Sequence, residues 1–244
     1  MLALAPRVDP LVRRRAALRR PGALSSLALT AILLAACSGV GGSTPTPPAS
    51  EPAASPLAPG TYTSRTFVPA VTYTLPGGWS NPEDTPAYFH LAPVGSDSVG
   101  VYIFRDAVAM SQDASCPDSP VTTVGKSARE LATWMSSLPG VVASDPKPAT
   151  VGGLSGFVID LGIKSTWKQS CPFANGLPTA PLFLNPTAGF HWVMAGTERL
   201  RLYLLDLPAG GTLFVDIDAF DGSLIDRLLN EATPIVSSMT FAKA

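Results

Sequence analysis

Three cysteines, two histidines and a run of closely spaced aspartates are the side chains with chemistry to offer in this 244-residue chain. Nucleophilic catalysis of the Ser-His-Asp or Cys-His kind needs a base within hydrogen-bond reach of its nucleophile. His90 sits between Phe89 and Leu91, and His191 between Phe190 and Trp192; both read as ordinary sheet residues. Gly153-Leu154-Ser155-Gly156-Phe157 approaches the nucleophile elbow G-x-S-x-G. Phe157 stands where the last glycine belongs, and a strand follows where the elbow needs a helix. No Cys or His pair has the spacing of a zinc site. The reading is therefore a protein that is not an enzyme, with no catalytic residue, no cofactor and no metal.

The aspartates fall in Asp216-Ile217-Asp218-Ala219-Phe220-Asp221-Gly222. An EF-hand loop has the form D-x-D-x-D-G with a distal glutamate, and this run has one residue too many and no such glutamate. Asp216 and Asp218 belong to the polar face of a strand whose other face carries Val215 and Ile217. Asp221 precedes a helix, where its charge favours the positive end of the dipole. Trp79 follows a Pro-Gly-Gly turn and Trp167 stands in a lysine-containing loop. Trp79, Trp167, Asp216, Asp218 and Asp221 form the candidate ligand or partner surface, since pockets combine aromatic walls with a few placed polar groups.

The elements that must position these residues follow from periodicity. Residues 61–67, 71–75, 87–91 and 98–104 alternate as strands, with a turn at Pro76-Gly77-Gly78. Ser127-Ala128-Arg129-Glu130 has the form of a capping box. Leu131, Trp134, Met135 and Leu138 then recur at i, i+3, i+4 and i+7, one apolar helix stripe, and Pro139-Gly140 ends it. Residues 141–144 and 148–151 are extended, Gly152-Gly153 turns, and 156–163 returns as a strand. Three strands follow at 190–195, 200–205 and 212–218, the last two joined by Pro208-Ala209-Gly210-Gly211. A helix capped by Ser223 places Leu224, Ile225, Leu228 and Leu229 inward, is kinked or divided by Pro234, and leads to a short strand at 239–242. Strands joined by hairpin-length links, with only two helices, predict an α+β fold, a largely antiparallel sheet with helices packed on it in one domain.

The N-terminal region has a different character. Six arginines fall within residues 7–20, and residues 23–36 carry no charge. That is the n-region and h-region of a secretory signal, too short for a membrane span of roughly 20 residues. The apolar run ends in Leu34-Ala35-Ala36-Cys37, which resembles the lipobox of bacterial lipoprotein precursors. The resemblance implies cleavage before Cys37, a diacylglyceryl group on that cysteine, and a chain held at the cell membrane on its extracytoplasmic side. Residues 38–59 are almost entirely Ser, Thr, Pro, Ala and Gly, with Val40, Leu57 and a single charge, Glu51, the composition of a segment that cannot bury enough apolar area to fold. The division is a signal over 1–36, a lipidated cysteine and tether over 37–59, and an extracytoplasmic domain over 60–244.

With Cys37 assigned to lipid, Cys116 and Cys171 remain. Both stand in Ser-Cys-Pro within polar, proline-containing stretches. An oxidising compartment favours closing such a pair, and the chain-entropy model gives roughly 4 kcal/mol for a loop of this length. Beyond Cys37 the chain carries 11 Lys plus Arg against 17 Asp plus Glu, a net charge of −6. That excludes the basic footprint of nucleic-acid binding. The expected partners are the membrane, through lipid on Cys37, and an envelope protein or ligand.

An early strand into Leu75-Pro76-Gly77-Gly78-Trp79, a central helix ending in Pro-Gly, a Val-Gly-Gly turn into a strand and a late strand-helix pair are together similar to the PsbP-like sandwich of some actinobacterial lipoproteins. The function expected is non-catalytic binding or an envelope-structural role. The alternatives are an envelope hydrolase assembled from distant strands, and a carrier of apolar ligands or lipids with a deep cavity.

Overall fold

The computed structural model describes residues 55–96 and 98–243. Residues 1–54, with Cys37 and most of the tether, lie outside the described residues.

Antiparallel pairing organises the chain. The strands are β1 (Gly60–Thr63), β2 (Val71–Leu75), β3 (Trp79–Asp84), β4 (Tyr88–Pro93), β5 (Val99–Arg105), β6 (Val108–Ala109), β7 (Val141–Ala143), β8 (Lys147–Val151), β9 (Leu154–Ile163), β10 (Thr179–Asn185), β11 (Phe190–Ala195), β12 (Arg199–Asp206), β13 (Thr212–Ala219) and β14 (Thr240–Phe241). The helices are α1 (Ala128–Ser136) and α2 (Ile225–Ser237). Eight strands form the central sheet in the order β3-β4-β5-β13-β12-β9-β7, with β8 also pairing β9. Two three-stranded sheets, β1-β2-β14 and β11-β10-β6, complete the domain. This is the α+β class that the strand and helix pattern predicts.

The central sheet has a core on each face. On one side, α2 and the sheet β1-β2-β14 cover Val101, Ile103, Leu213, Val215 and Ile217. On the other, α1 and the sheet β11-β10-β6 cover Tyr102, Phe104, Leu200, Leu202, Leu204 and Phe214. A third cluster, Met110, Cys116, Cys171, Leu184 and Val193 among its members, fills the outer side of β11-β10-β6. All eight residues of β13 are buried, because the strand is central and covered on both faces.

The helix starts obey the capping rules. Ser127 accepts the N–H of Glu130 while the Glu130 carboxylate accepts the N–H of Ser127. The α1 stripe buries Leu131, Met135 and Leu138, but Trp134 is only partly buried at the margin. Asp221 caps a 3-10 turn, Gly222–Leu224, that runs into α2, so the capping side chain is Asp221 and not Ser223. Leu224 lies in that turn, exposed, and not on the inward face of α2. Pro234 neither ends nor divides α2, which continues to Ser237. Order also begins before Gly60: the Leu57 N–H donates to the Trp79 carbonyl at 2.7 Å, and the Tyr62 hydroxyl to the Ala58 carbonyl at 2.6 Å.

Candidate functional site

The two sides of the central sheet offer different chemistry. On the α1 side, one cross-strand row runs Glu83, His90, Tyr102 and Asp216 over β3, β4, β5 and β13. The next position along β13 on that face is Asp218, opposite Gly100. The His90 ring stacks on Tyr102 at 4.2 Å and 12°, and Trp192 of β11 meets Tyr102 at 4.9 Å. A Cβ on Gly100 would stand 2.8 Å from His90 Nε2 and 2.7 Å from the Leu91 carbonyl oxygen, so only glycine leaves room for the imidazole. Glu198 is buried nearby in sequence from β11, its carboxylate accepting the Ala195 N–H at 2.8 Å.

This overturns the expectation that Asp216 and Asp218 face outward. They do share a strand face, but they are 0% and 2% exposed. Alternation marks which residues share a face; here the sheet β11-β10-β6 lies across that face.

The other sequence candidates are also accounted for. Trp79 is buried in the core on the face of the sheet covered by α2 and β1-β2-β14, 3% exposed. Trp167 is half-buried; its indole N–H donates to the Thr179 carbonyl at 2.8 Å, and its ring fills the space a Gly140 Cβ would occupy. It packs a loop. Asp221 is exposed, and its carboxylate accepts from both the Ser223 N–H and hydroxyl at 3.0 and 2.8 Å. The five residues therefore do not form one surface. Cys116 and Cys171 are bonded, their Cα atoms 5.5 Å apart.

The bond has a neighbour of interest. His191 Nδ1 lies 2.5 Å from Asp118 Oδ1, and Phe173 stacks on the imidazole at 5.9 Å. Asp118 is two residues past Cys116 and Phe173 two past Cys171, so both arms of the disulfide hold the ring. Nε2 of His191 meets no hydrogen-bond partner among the described residues, so no serine completes a triad there. Ser155 stands opposite Thr150 in the β8–β9 pair, an extended position and not a strand-to-helix elbow. Among the described residues no group of three or more His, Cys, Asp and Glu is placed to hold a metal ion.

The open site lies on the α2 side of the sheet. A groove of about 440 Å³ runs between α2 and β12, lined by Arg201, Asp226, Leu229, Asn230, Thr233 and Pro234. Arg201 and Asp160 are cross-strand neighbours on β12 and β9. Nε and Nη2 of Arg201 donate to the two carboxylate oxygens of Asp160 at 2.7 and 2.9 Å, a bidentate pair that fixes the guanidinium plane. The Asp160 hydrogen bond also raises the Arg201 pKa, so the guanidinium keeps its charge. Burial pushes up the pKa of the neighbouring Tyr203 phenol.

Sequence reading missed this site. Two signals stood there: Arg201 and Asp160 are charged residues in the interior of mostly apolar strands, and Pro234 sits inside a helix where it costs about 3 kcal/mol. A smaller depression of about 230 Å³ lies at Asp106, Lys126 and Thr212.

No family model matches the chain, and no curated protein matches it in sequence. Solved structures do match. LpqN of Mycobacterium tuberculosis, described as involved in cell envelope biogenesis, is 17% identical over 70% of this chain and 83% of its own, with a TM-score of 0.39. The cyanobacterial PsbP of Synechocystis sp. PCC 6803 is 11% identical over 86% of this chain and 99% of its own, with a TM-score of 0.35. A Bacteroides thetaiotaomicron VPI-5482 protein is 11% identical over 71% of this chain but 45% of its own, with a TM-score of 0.31. At these values the fold class rests on the strands and helices described above. Among the described residues no helix is long and apolar enough to cross a membrane.

Proposed function

We propose that this chain is an exported lipoprotein, anchored through a diacylglyceryl group on Cys37, whose domain acts by binding and not by catalysis. The observation that carries this reading is the order of parts: an arginine-rich head, a charge-free run ending in Leu34-Ala35-Ala36-Cys37, a proline-rich tether, and a domain whose first described residues are pinned at Leu57. Two acyl chains give stable anchoring where one gives only marginal binding. The residues between Cys37 and Ser55 number 17, so the tether can span at most about 60 Å when fully extended. A disulfide inside the domain suits an oxidising compartment. Binding is favoured over hydrolysis by the His191–Asp118 pair, whose imidazole has no hydroxyl on its far nitrogen.

Membrane fractionation tests the anchor. The native chain partitions with membranes, and Cys37→Ala is released into the soluble extracytoplasmic fraction. Equal partitioning of the two overturns the reading.

A further inference from the structure

We propose that His90 is a buried imidazolium tied to Asp218, a pH-sensitive fastening between β4 and β13 that does not depend on the anchor at Cys37. His90 is 6% exposed and Asp218 2%. Gly100 brings them together. It pairs with Asp218 in the register of β5 and β13, and side chains directly opposed across an antiparallel pair stand about 4.5–5.5 Å apart at Cβ. His90 Nε2 lies 2.8 Å from the point where a Gly100 Cβ would be. The imidazole therefore fills the side-chain space that Gly100 leaves empty and faces Asp218 across a gap that an aspartate side chain spans. Tyr102 fixes the ring from its flank, stacked on it at 4.2 Å and 12°.

Among the described residues, the charged groups that face this imidazole are all acids. From β3 comes Glu83, opposite His90 in register. From β13 come Asp218 and, two residues along on the same face, Asp216. The turn before β12 brings Glu198, in phase with Leu200, which pairs with Asp218. The phenols of Tyr88 and Tyr102, from β4 and β5, and the indole of Trp192, from β11, complete the ring's aromatic surroundings, and β12 adds the apolar Leu200 and Leu202. Burial by itself disfavours a charged imidazole, but opposite charges within about 4–6 Å favour one, and salt screens a buried pair far less than an exposed one. A neutral ring would leave the Asp218 carboxylate as an uncompensated buried charge, so the proton stays on His90. His90 then holds its proton more tightly in the folded chain than in the unfolded one. Its contribution is whole below the ordinary imidazole value of about 6.5 and is lost as pH rises through the higher folded value. For Asp218 the sign is opposite: its contribution is present above about 4 and is lost as pH falls through the lower folded value. The fastening thus holds across neutral pH and releases on the alkaline side when His90 gives up its proton.

The test is an imidazole NMR titration of the full chain in detergent, from about pH 5 to about pH 9, a range that brackets the ordinary imidazole value. The chain has two histidines, so a parallel titration of His191→Gln identifies the His90 signal. That signal is expected to keep its protonated position to about pH 8, above the ordinary value. Asp218→Asn keeps the shape of the side chain and removes its charge; it should bring the His90 transition down by about one pH unit or more, roughly a tenfold loss of proton affinity. Asp216→Asn should move it less. Urea midpoints of the native chain should fall on the alkaline side of neutrality, and those of Asp218→Asn should fall less. A His90 signal that is already neutral at about pH 7 overturns the proposal on the native chain alone, whether or not the variants fold. An Asp218→Asn chain whose His90 titrates as in the native one overturns it too, as does an Asp216→Asn chain that moves the transition further than Asp218→Asn does.

Discussion

Ser127 and Glu130 hold each other at the start of α1. The serine hydroxyl accepts the Glu130 N–H at 3.3 Å and donates to the Glu130 carboxylate at 2.6 Å, while that carboxylate accepts the Ser127 N–H at 3.2 Å. One turn of helix is thereby closed by two side chains. Asp206 adds a third, accepting the Ala128 N–H at 2.8 Å and tying the helix to the end of β12. Replacing the capping serine removes an acceptor from donors that the helix leaves open. Ser127→Ala is expected to lower stability by about 1 kcal/mol, read as a shift in the urea midpoint at constant m. An unchanged midpoint would show that Asp206 alone suffices.

Serine–carboxylate hydrogen bonds of a different register, from Ser115 to Asp113 and from Ser223 to Asp221, occur at two other exposed sites and bear on the acid response. Hydrogen bonds from Ser115, Ser127 and Ser223 hold the carboxyl groups of Asp113, Glu130 and Asp221 below their ordinary values. Each group therefore titrates lower in the folded chain than in the unfolded one. Its stabilising contribution is present above the ordinary carboxyl range of about 4 and is lost as pH falls through the lowered folded value. Thermal melts from neutral pH to below that range should show the melting temperature falling, and the triple variant Ser115→Ala, Ser127→Ala, Ser223→Ala should fall less steeply. Parallel curves contradict the assignment.

Tyr73 sets the alkaline response. Burial, and then the nearby Asp84 charge, push its phenol up to about 12. Because the folded value lies above the unfolded value of about 10, its contribution is present below that pH and is lost as pH rises through about 12. Ultraviolet titration of the tyrosinates should show a group ionising near pH 12, and Tyr73→Phe should remove that step. Loss of a different step contradicts the burial argument.

Two glycines of β9 should respond in opposite ways. A Cβ on Gly156 would land on the Leu204 carbonyl oxygen of β12, whereas one on Gly162 would meet its nearest neighbour, Arg199 Cγ, at 3.8 Å. Backbone cannot rotate aside as a side chain can, so Gly156→Ala is expected to cost about 1–3 kcal/mol. Gly162→Ala should stay within about 0.5 kcal/mol. Denaturant curves of the two variants check the contrast, and equal stability refutes the close approach of β9 and β12.

What the sequence made legible was what local rules govern. The Ser127–Glu130 box and the Leu131, Met135, Leu138 stripe are written in four- and eight-residue windows, and α1 follows them. The strands at 190–195, 200–205 and 212–218 showed enough alternation or apolar content to be read. Thr179–Asn185 did not: all seven residues are buried, and a continuous apolar run with Pro181 in it carries no period. Trp79–Asp84 was missed because Pro82 falls inside it, a residue tolerated where the register shifts between Ser80 and Glu83 on an edge strand. Asp216 and Asp218 were placed on the correct strand face, but whether a face is covered depends on β10 and β11, elements far along the chain from β4 and β5. The groove at Arg201 was invisible for the same reason. Its two walls, β12 and α2, meet only once β13 has turned the chain back.

The account stands on Cys37, and the mass of the N-terminal peptide of the chain purified from its own membranes tests it most directly. The expected peptide begins at Cys37 and carries the added mass of a diacylglyceryl group on the thiol. A peptide that begins elsewhere, or an unmodified Cys37 in the membrane fraction, contradicts the anchor.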